Sequence, residues 1–208
     1  MSEYSPQRFQ MLPTAVKNLL IINVIFFMAT IVLERQEMFN ITNALILYPI
    51  QSGYFKIWQP VTYMFMHSNF DHLFFNMFAL WMFGYVLENI WGTRRFLFYY
   101  FACGLGAAAI SLLIGHGPTL GASGAVYGIL LAFGMLFPEE RIYLYFLLPI
   151  KAKWFIIGYA ALELFEGVIR SYDGIAHFAH LGGMLIGLII ILLWRRKERD
   201  QYNGPFRY

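Results

Sequence analysis

One cysteine, Cys103, occurs in 208 residues, so no internal disulfide, zinc ribbon or CxxC redox centre can be built. Charge is nearly as scarce. Asp, Glu, Lys and Arg together make up 13% of the chain, about half the share usual in a soluble domain, while 59% is hydrophobic and 19% aromatic. That balance excludes a soluble enzyme and predicts an integral membrane protein whose outward faces are solvated by lipid. A His-Glu-x-x-His motif is missing, as is a central Asp in any apolar run, which argues against zinc and aspartyl intramembrane proteolysis. No internal repeat, linker or basic-aromatic surface interrupts the chain, so a single domain over 1–208 with no nucleic-acid partner is expected.

What remains is a series of apolar stretches separated by charges. A helix needs about 20 residues to cross about 30 Å of hydrocarbon. The stretch from Phe96 to Pro138 carries no charge, and as one helix it would be about twice too long. The Gly115-His116-Gly117-Pro118 cluster divides it. The fold class expected is therefore an all-α polytopic membrane protein with six spans, at about 14–34, 70–88, 95–114, 121–138, 153–170 and 175–195. All Lys and Arg except Arg35, Lys56 and Arg170 fall on one side of that arrangement, which predicts that both termini are cytoplasmic. The long segment from Glu34 to Asp71, rich in Tyr, Trp, Phe, Leu and Ile, is expected to lie in the outer interface.

Polar residues inside spans are costly unless they are partnered or functional. Three groups stand out, each at the outer mouth of a span: His67-Ser68-Asn69-Phe70-Asp71-His72 running on to Asn76, Gly121-Ala122-Ser123-Gly124 running on to Tyr127 and Gly128, and His177-Phe178-Ala179-His180-Leu181-Gly182-Gly183 running on to Gly187. Singly, each has a structural explanation. Ser123 can bond the helix backbone, Gly124 and Gly128 can serve helix packing, Ser68 and Asp71 fit a capping box, and His72 and Asn76 can bond each other.

Jointly they suit acyl transfer, because a serine hydroxyl is a weak nucleophile until an imidazole takes its proton. Ser123 and His180 on adjacent helices would form that pair, the glycines would let the helices approach, and His72, Asn76 and the Ser123 N–H would face an oxyanion. Tyr127 could press on the imidazole. His177 competes with His180 for the role of base; helical depths of about 7.5 Å for Ser123, 9 Å for His180 and 4.5 Å for His177 favour His180. No acid is evident to orient the base, and Asp173 is expected to be solvated. Glu163 and Glu166 are expected either to face a water-filled gate or, for Glu166, to pair with Arg170. A histidine-lined channel using His67, His72, His177 and His180 remains an alternative.

His67-x4-His72-x3-Asn76, Gly121-x-Ser123-Gly124 and Ala179-His180-x-Gly182-Gly183, in this order at the mouths of spans two, four and six, resemble the rhomboid intramembrane serine proteases. The resemblance covers most of the chain. It implies a six-helix core, Ser123 as nucleophile, His180 as base, His72 and Asn76 in the oxyanion hole, and no cofactor or metal. It also implies a membrane-embedded first outer loop, lateral substrate entry gated by span five, and single-span membrane proteins as substrates. A bacterial plasma membrane with the site opening outward would be the setting; a catalytically inactive, substrate-binding relative is the other outcome the resemblance leaves open.

Overall fold

The computed structural model describes residues 9–35, 41–114, 117–144, 147–169 and 177–202. The described chain is mostly helical. Helix α1 (Thr14–Arg35) is followed by a short helix α2 (Ile41–Leu45), a 3₁₀ turn at Ile50–Ser52, a short helix α3 (Gln59–Thr62) and a second 3₁₀ turn at Tyr63–Phe65. Long helices α4 (Phe70–Trp91) and α5 (Thr93–Ile114) come next, then α6 (Ser123–Leu136), a hairpin of β1 (Arg141–Leu144) and β2 (Leu148–Lys151), and helices α7 (Ala152–Ile169) and α8 (His177–Tyr202).

Four of these helices, α1, α4, α5 and α8, are long and apolar enough to cross a membrane. Helix α6 has 14 residues, a length of about 21 Å, and α7 carries Lys153, Glu163 and Glu166 in its 18 residues. The outward faces of α1, α4, α7 and α8 are apolar, with Ile25, Met28, Phe75, Phe165, Val168 and Leu193 among the exposed side chains. Such faces are stable only against lipid or another apolar surface.

Helix α4 outruns its expected end at residue 88. Glu88 is not a boundary charge but a buried one, 2% exposed. Its Oε1 accepts from the Ala15 N–H at 2.8 Å and from the Thr93 hydroxyl at 2.7 Å, and its Oε2 accepts from the Val16 N–H at 2.8 Å. The carboxylate thus satisfies the free donors at the start of α1, where the helix dipole also favours an anion. Helix α4 continues to Trp91 and stops at Gly92, whose φ is 78°.

The segment before α4 is not structureless. Buried Gln59 staples it, accepting from the Tyr48 and Lys56 N–H groups through Oε1 and donating to the Tyr54 carbonyl through Nε2. Thr62 donates to the Leu45 carbonyl at 2.7 Å and the Trp58 indole to that of Ala44 at 3.0 Å. Ile50, Tyr54 and Ile57 remain exposed around this scaffold.

The hairpin is a departure from an all-α chain. Arg141 pairs with Lys151 and Leu144 with Leu148 in antiparallel register. Glu139 binds both Lys151, at 2.7 Å, and Lys153, closing the base of the hairpin with charges. Ile142, Tyr143 and Ile150 supply the β-branched and aromatic side chains that suit a strand.

Helices α5, α6 and α8 pack against one another at the centre, with α4 against α6 and α7 outside α6 and α8. Tyr63, Phe96, Tyr99, Tyr100, Leu80 and Ile129 are fully buried there. Two phenols fasten neighbouring elements: Tyr99 donates to the Gly128 carbonyl at 2.8 Å and Tyr63 to that of Gly104 at 2.7 Å. Helices α6 and α8 touch backbone to backbone, since a Cβ on Gly183 would collide with the Gly124 carbonyl. Small residues permit this approach, and any side chain at Gly183 would wedge it open.

Candidate active site

Ser123 is the first residue of α6. The strand-like segment leading into it is pinned from two sides. Leu47 and Thr119 exchange backbone hydrogen bonds of 2.9 and 2.8 Å, and the Gly121 N–H donates to the Tyr63 carbonyl at 2.9 Å. Residues 118–122 are therefore not a helical turn, and the helical depth of about 7.5 Å expected for Ser123 does not apply. Gly121 has a φ of 122°, a conformation that L side chains rarely adopt, and a Cβ there would lie 2.8 Å from both Cε1 and Nε2 of His72. This position thus holds the chain turn and leaves room for the His72 ring. The same hypothetical Cβ would be 3.6 Å from the Ser123 hydroxyl, so the His72 ring and Ser123 Oγ both border the space that Gly121 leaves open.

His180 comes from α8. Its Nε2 lies 2.8 Å from Ser123 Oγ, and Tyr127, one turn along α6 from Ser123, stacks on its ring at 4.5 Å between centroids with only 7° between the planes. Of the two histidines at the start of α8, His180 is thus the one in contact with Ser123. His177 meets carboxylates of α7. Its Nδ1 is 2.8 Å from Glu163 Oε2 and 3.8 Å from Glu166 Oε2.

Glu163 is the residue that sequence reasoning left unassigned. Its Oε2 is also 3.0 Å from His180 Nδ1, and its Oε1 accepts a hydrogen bond from the Tyr127 hydroxyl. The side chain is 8% exposed. An ionised carboxylate can only accept, so in that state Nδ1 of His180 carries its proton and Nε2 presents a lone pair to Ser123. An acid within an apolar helix was the available signal. Its direction depends on how α7 is rotated, which residue types alone do not reveal. Arg170 and Asp173, the partner expected for Glu166 and the acid near span six, lie outside the described residues.

On α4, Asn69 caps the helix by accepting from the His72 N–H at 2.8 Å, so the expected Ser68–Asp71 capping box is replaced by a cap one residue later. Ser68 instead places its hydroxyl 3.1 Å from His72 Nδ1, which leaves Nε2 facing Gly121. Asn76 donates through Nδ2 to the His72 carbonyl at 2.8 Å, a side chain to backbone bond in place of the expected side-chain pair. His67 is buried and packs edge-on against His72 at 5.0 Å. Burial, reinforced by repulsion from His72 and opposed only weakly by the Phe65 backbone, lowers its pKa from 6.5 to about 3.

The glycines divide by partner. Gly183 faces the Gly124 backbone across the α6–α8 contact, whereas Gly124 faces Ala107, Gly128 faces Cys103 and Gly187 faces Tyr99, all three on α5. The His180-Gly183-Gly187 stripe therefore seats α8 against two helices rather than one. Among the described residues, Glu163, His177 and His180 are the group whose ligand atoms lie close enough together for a common cation, within 4.8 Å of one another. The hydrogen bonds already described occupy those same atoms, which accounts for the cluster without an ion.

A rhomboid domain is matched over residues 54–197, more than half of the chain. The chain belongs to the rhomboid family. Among curated proteins it is 34% identical over 133 residues to "Rhomboid protein 1, mitochondrial" of Saccharomyces cerevisiae, covering 60% of this chain and 38% of that protein. It is 32% identical over 163 residues to the human "Presenilin-associated rhomboid-like protein, mitochondrial", covering 68% and 42%. It is 31% identical over 156 residues to "RHOMBOID-like protein 6, mitochondrial" of Arabidopsis thaliana, covering 73% and 49%. The match thus spans less than half the length of these relatives. As a rhomboid it is a membrane protein, but the relatives carry a mitochondrial designation, so the expected bacterial plasma membrane finds no support among them.

Proposed function

We propose that this rhomboid is an intramembrane serine protease that cleaves single-span membrane proteins within or near their membrane segment. The observation that carries the proposal is the 2.8 Å contact between Ser123 Oγ and His180 Nε2. In the reaction, the Ser123 proton passes to Nε2 as Oγ bonds the scissile carbonyl carbon and the carbonyl π pair moves onto oxygen. The imidazolium then gives that proton to the leaving amide nitrogen as the C–N bond breaks. Water, deprotonated by His180 Nε2, then attacks the acyl carbon, and the proton passes to Ser123 Oγ as the ester C–O bond breaks and the acid is released.

The oxyanion would be met by the Ser123 N–H, which has no carbonyl one turn back within α6, together with His72 and Asn76. The helix start adds a favourable dipole. A peptide bond in a regular helix has its carbonyl hydrogen-bonded, so substrates with Gly, Pro or polar residues near the cleavage point are the class this site favours.

In the same reading the chain crosses the membrane six times, with α6 and α7 as the two further spans and both termini on the side rich in Lys and Arg. The segment over 41–69 lies in the opposite interface, and the site opens to that side. Cleavage of a model single-span substrate in liposomes tests the assignment. Ser123→Ala should fold, insert and lose cleavage; cleavage at the wild-type rate would refute it.

A further inference from the structure

Glu163 sits on α7, while Ser123 and His180 sit on α6 and α8. Its carboxylate nevertheless meets three donor groups of the site: Tyr127 Oη at Oε1, and the Nδ1 atoms of His177 and His180 at Oε2. Building a carboxylate into the interior costs several kcal/mol unless its lone pairs are satisfied. Three partners satisfy them, and two of those partners are the rings stacked beside Ser123: His180 itself and Tyr127 upon it.

A clamp between α7 and α8 would need only His177. That histidine is buried, 3% exposed, and its bond to Glu163 is already the shorter of the two imidazole contacts, at 2.8 Å. The additional bond to His180 does something that a clamp does not require. It fixes which ring nitrogen carries the proton, because a carboxylate at Nδ1 leaves Nε2 free to accept from Ser123, and it fixes the rotation of the ring about its Cβ–Cγ bond. Tyr127 acts on the same two variables, through its stacked face and its hydroxyl on the other carboxylate oxygen.

Resting on the protease reading above, we infer that Glu163 is the acidic positioning residue of the site, making Ser123, His180 and Glu163 a triad assembled from three helices. Glu163 takes no proton in the reaction. It keeps the Nδ1 proton of His180 in place while Nε2 accepts the Ser123 proton, and it faces the positive charge that the imidazole then carries. His177 holds the shared carboxylate from the other side. Since the acid comes from α7 and the nucleophile and base from α6 and α8, the triad is complete only when α7 is docked on both.

Steady-state kinetics on the full-length protein in liposomes, with thermal unfolding and the rate of fluorophosphonate labelling measured alongside, test this. Glu163→Gln removes the charge at nearly constant shape. The expected result is a fall in kcat of at least about 100-fold, a KM within about threefold of wild type, and a parallel fall in labelling rate that needs no bound substrate. Glu163→Asp, which keeps the charge and should fold if Gln does not, recovers part of kcat. Wild-type kcat and labelling in folded Glu163→Gln would overturn the triad while leaving labelled Ser123 and the protease reading intact. Equal losses in the Gln and Asp variants, tracking a lowered unfolding temperature, would make Glu163 a clamp and overturn it too. Activity that collapses with a chelator and returns with zinc would make the three residues a metal site and likewise overturn it. A wild-type protein that neither cleaves nor labels removes both readings together.

Discussion

Tyr127 lies flat on His180, with 7° between the rings and 4.5 Å between their centres, and its hydroxyl reaches the same carboxylate as the imidazole. One side chain therefore controls the base twice, by its face and by its tip. Tyr127→Phe keeps the stack and gives up only the hydroxyl contact, whereas Tyr127→Ala gives up both. A stacked aromatic pair contributes about 0.5–1.5 kcal/mol, so kcat for the Ala variant should fall about 2- to 10-fold further than for the Phe variant. Kinetics on the two folded proteins check this order; equal values would mean that the stack does not hold the ring.

His72 and Asn76 are expected to act on the oxyanion. Loss of one such donor typically costs about 2.7–4 kcal/mol, or 10²- to 10³-fold in rate. His72→Ala and Asn76→Ala should each lower turnover by that order while Ser123 stays available to a fluorophosphonate. Near wild-type turnover in both variants would show that their bonds to Ser68, Asn69 and the α4 backbone are purely structural.

Gly183→Ala tests the packing beneath the site. The new methyl group meets the Gly124 carbonyl, so α6 and α8 must separate and Ser123 must move from His180. Overpacking of this kind costs about 1–3 kcal/mol. A lowered unfolding temperature in detergent together with loss of cleavage is expected, whereas Gly53→Ala, with no atom near the added Cβ, pays only for its left-handed backbone and should keep activity.

How much of this was legible in the residues depends on whether the signal is local. Ser123, His180 and the glycines between the helices could be nominated together because each motif sits at the start of a helix, and the six spans expected from the sequence would put those starts on one side. Glu163 could not, since its part follows from the rotation of α7 about its own axis. The cap of α4 shows the same limit at smaller scale. Ser68 and Asn69 are both good capping types, and it is the extended backbone of Asn69, with φ −158° and ψ 174°, that selects it. Glu88 looked like a boundary because charge usually ends a span; its partners on α1 lie more than seventy residues away in sequence.

His67 makes stability depend on acid. Its pKa falls from 6.5 to about 3 on folding, so the unfolded chain takes up this proton first as the pH drops. Stability is fully present above about pH 6.5 and is lost between there and pH 3, by up to about 1.4 kcal/mol per pH unit. His67→Gln should flatten the unfolding temperature across that window. A slope as steep as that of the wild type would place the acid sensitivity elsewhere.

The account turns on Ser123 being activated by His180 and not by His177, which lies three residues earlier and meets Glu163 on α7. Fluorophosphonate labelling of three purified, folded proteins measures this without any assumption about substrate. The wild type should be labelled at Ser123, His177→Ala should keep a substantial part of that labelling, and His180→Ala should have none, since an unactivated serine is inert. Labelling that survives in His180→Ala and disappears in His177→Ala would contradict the assignment.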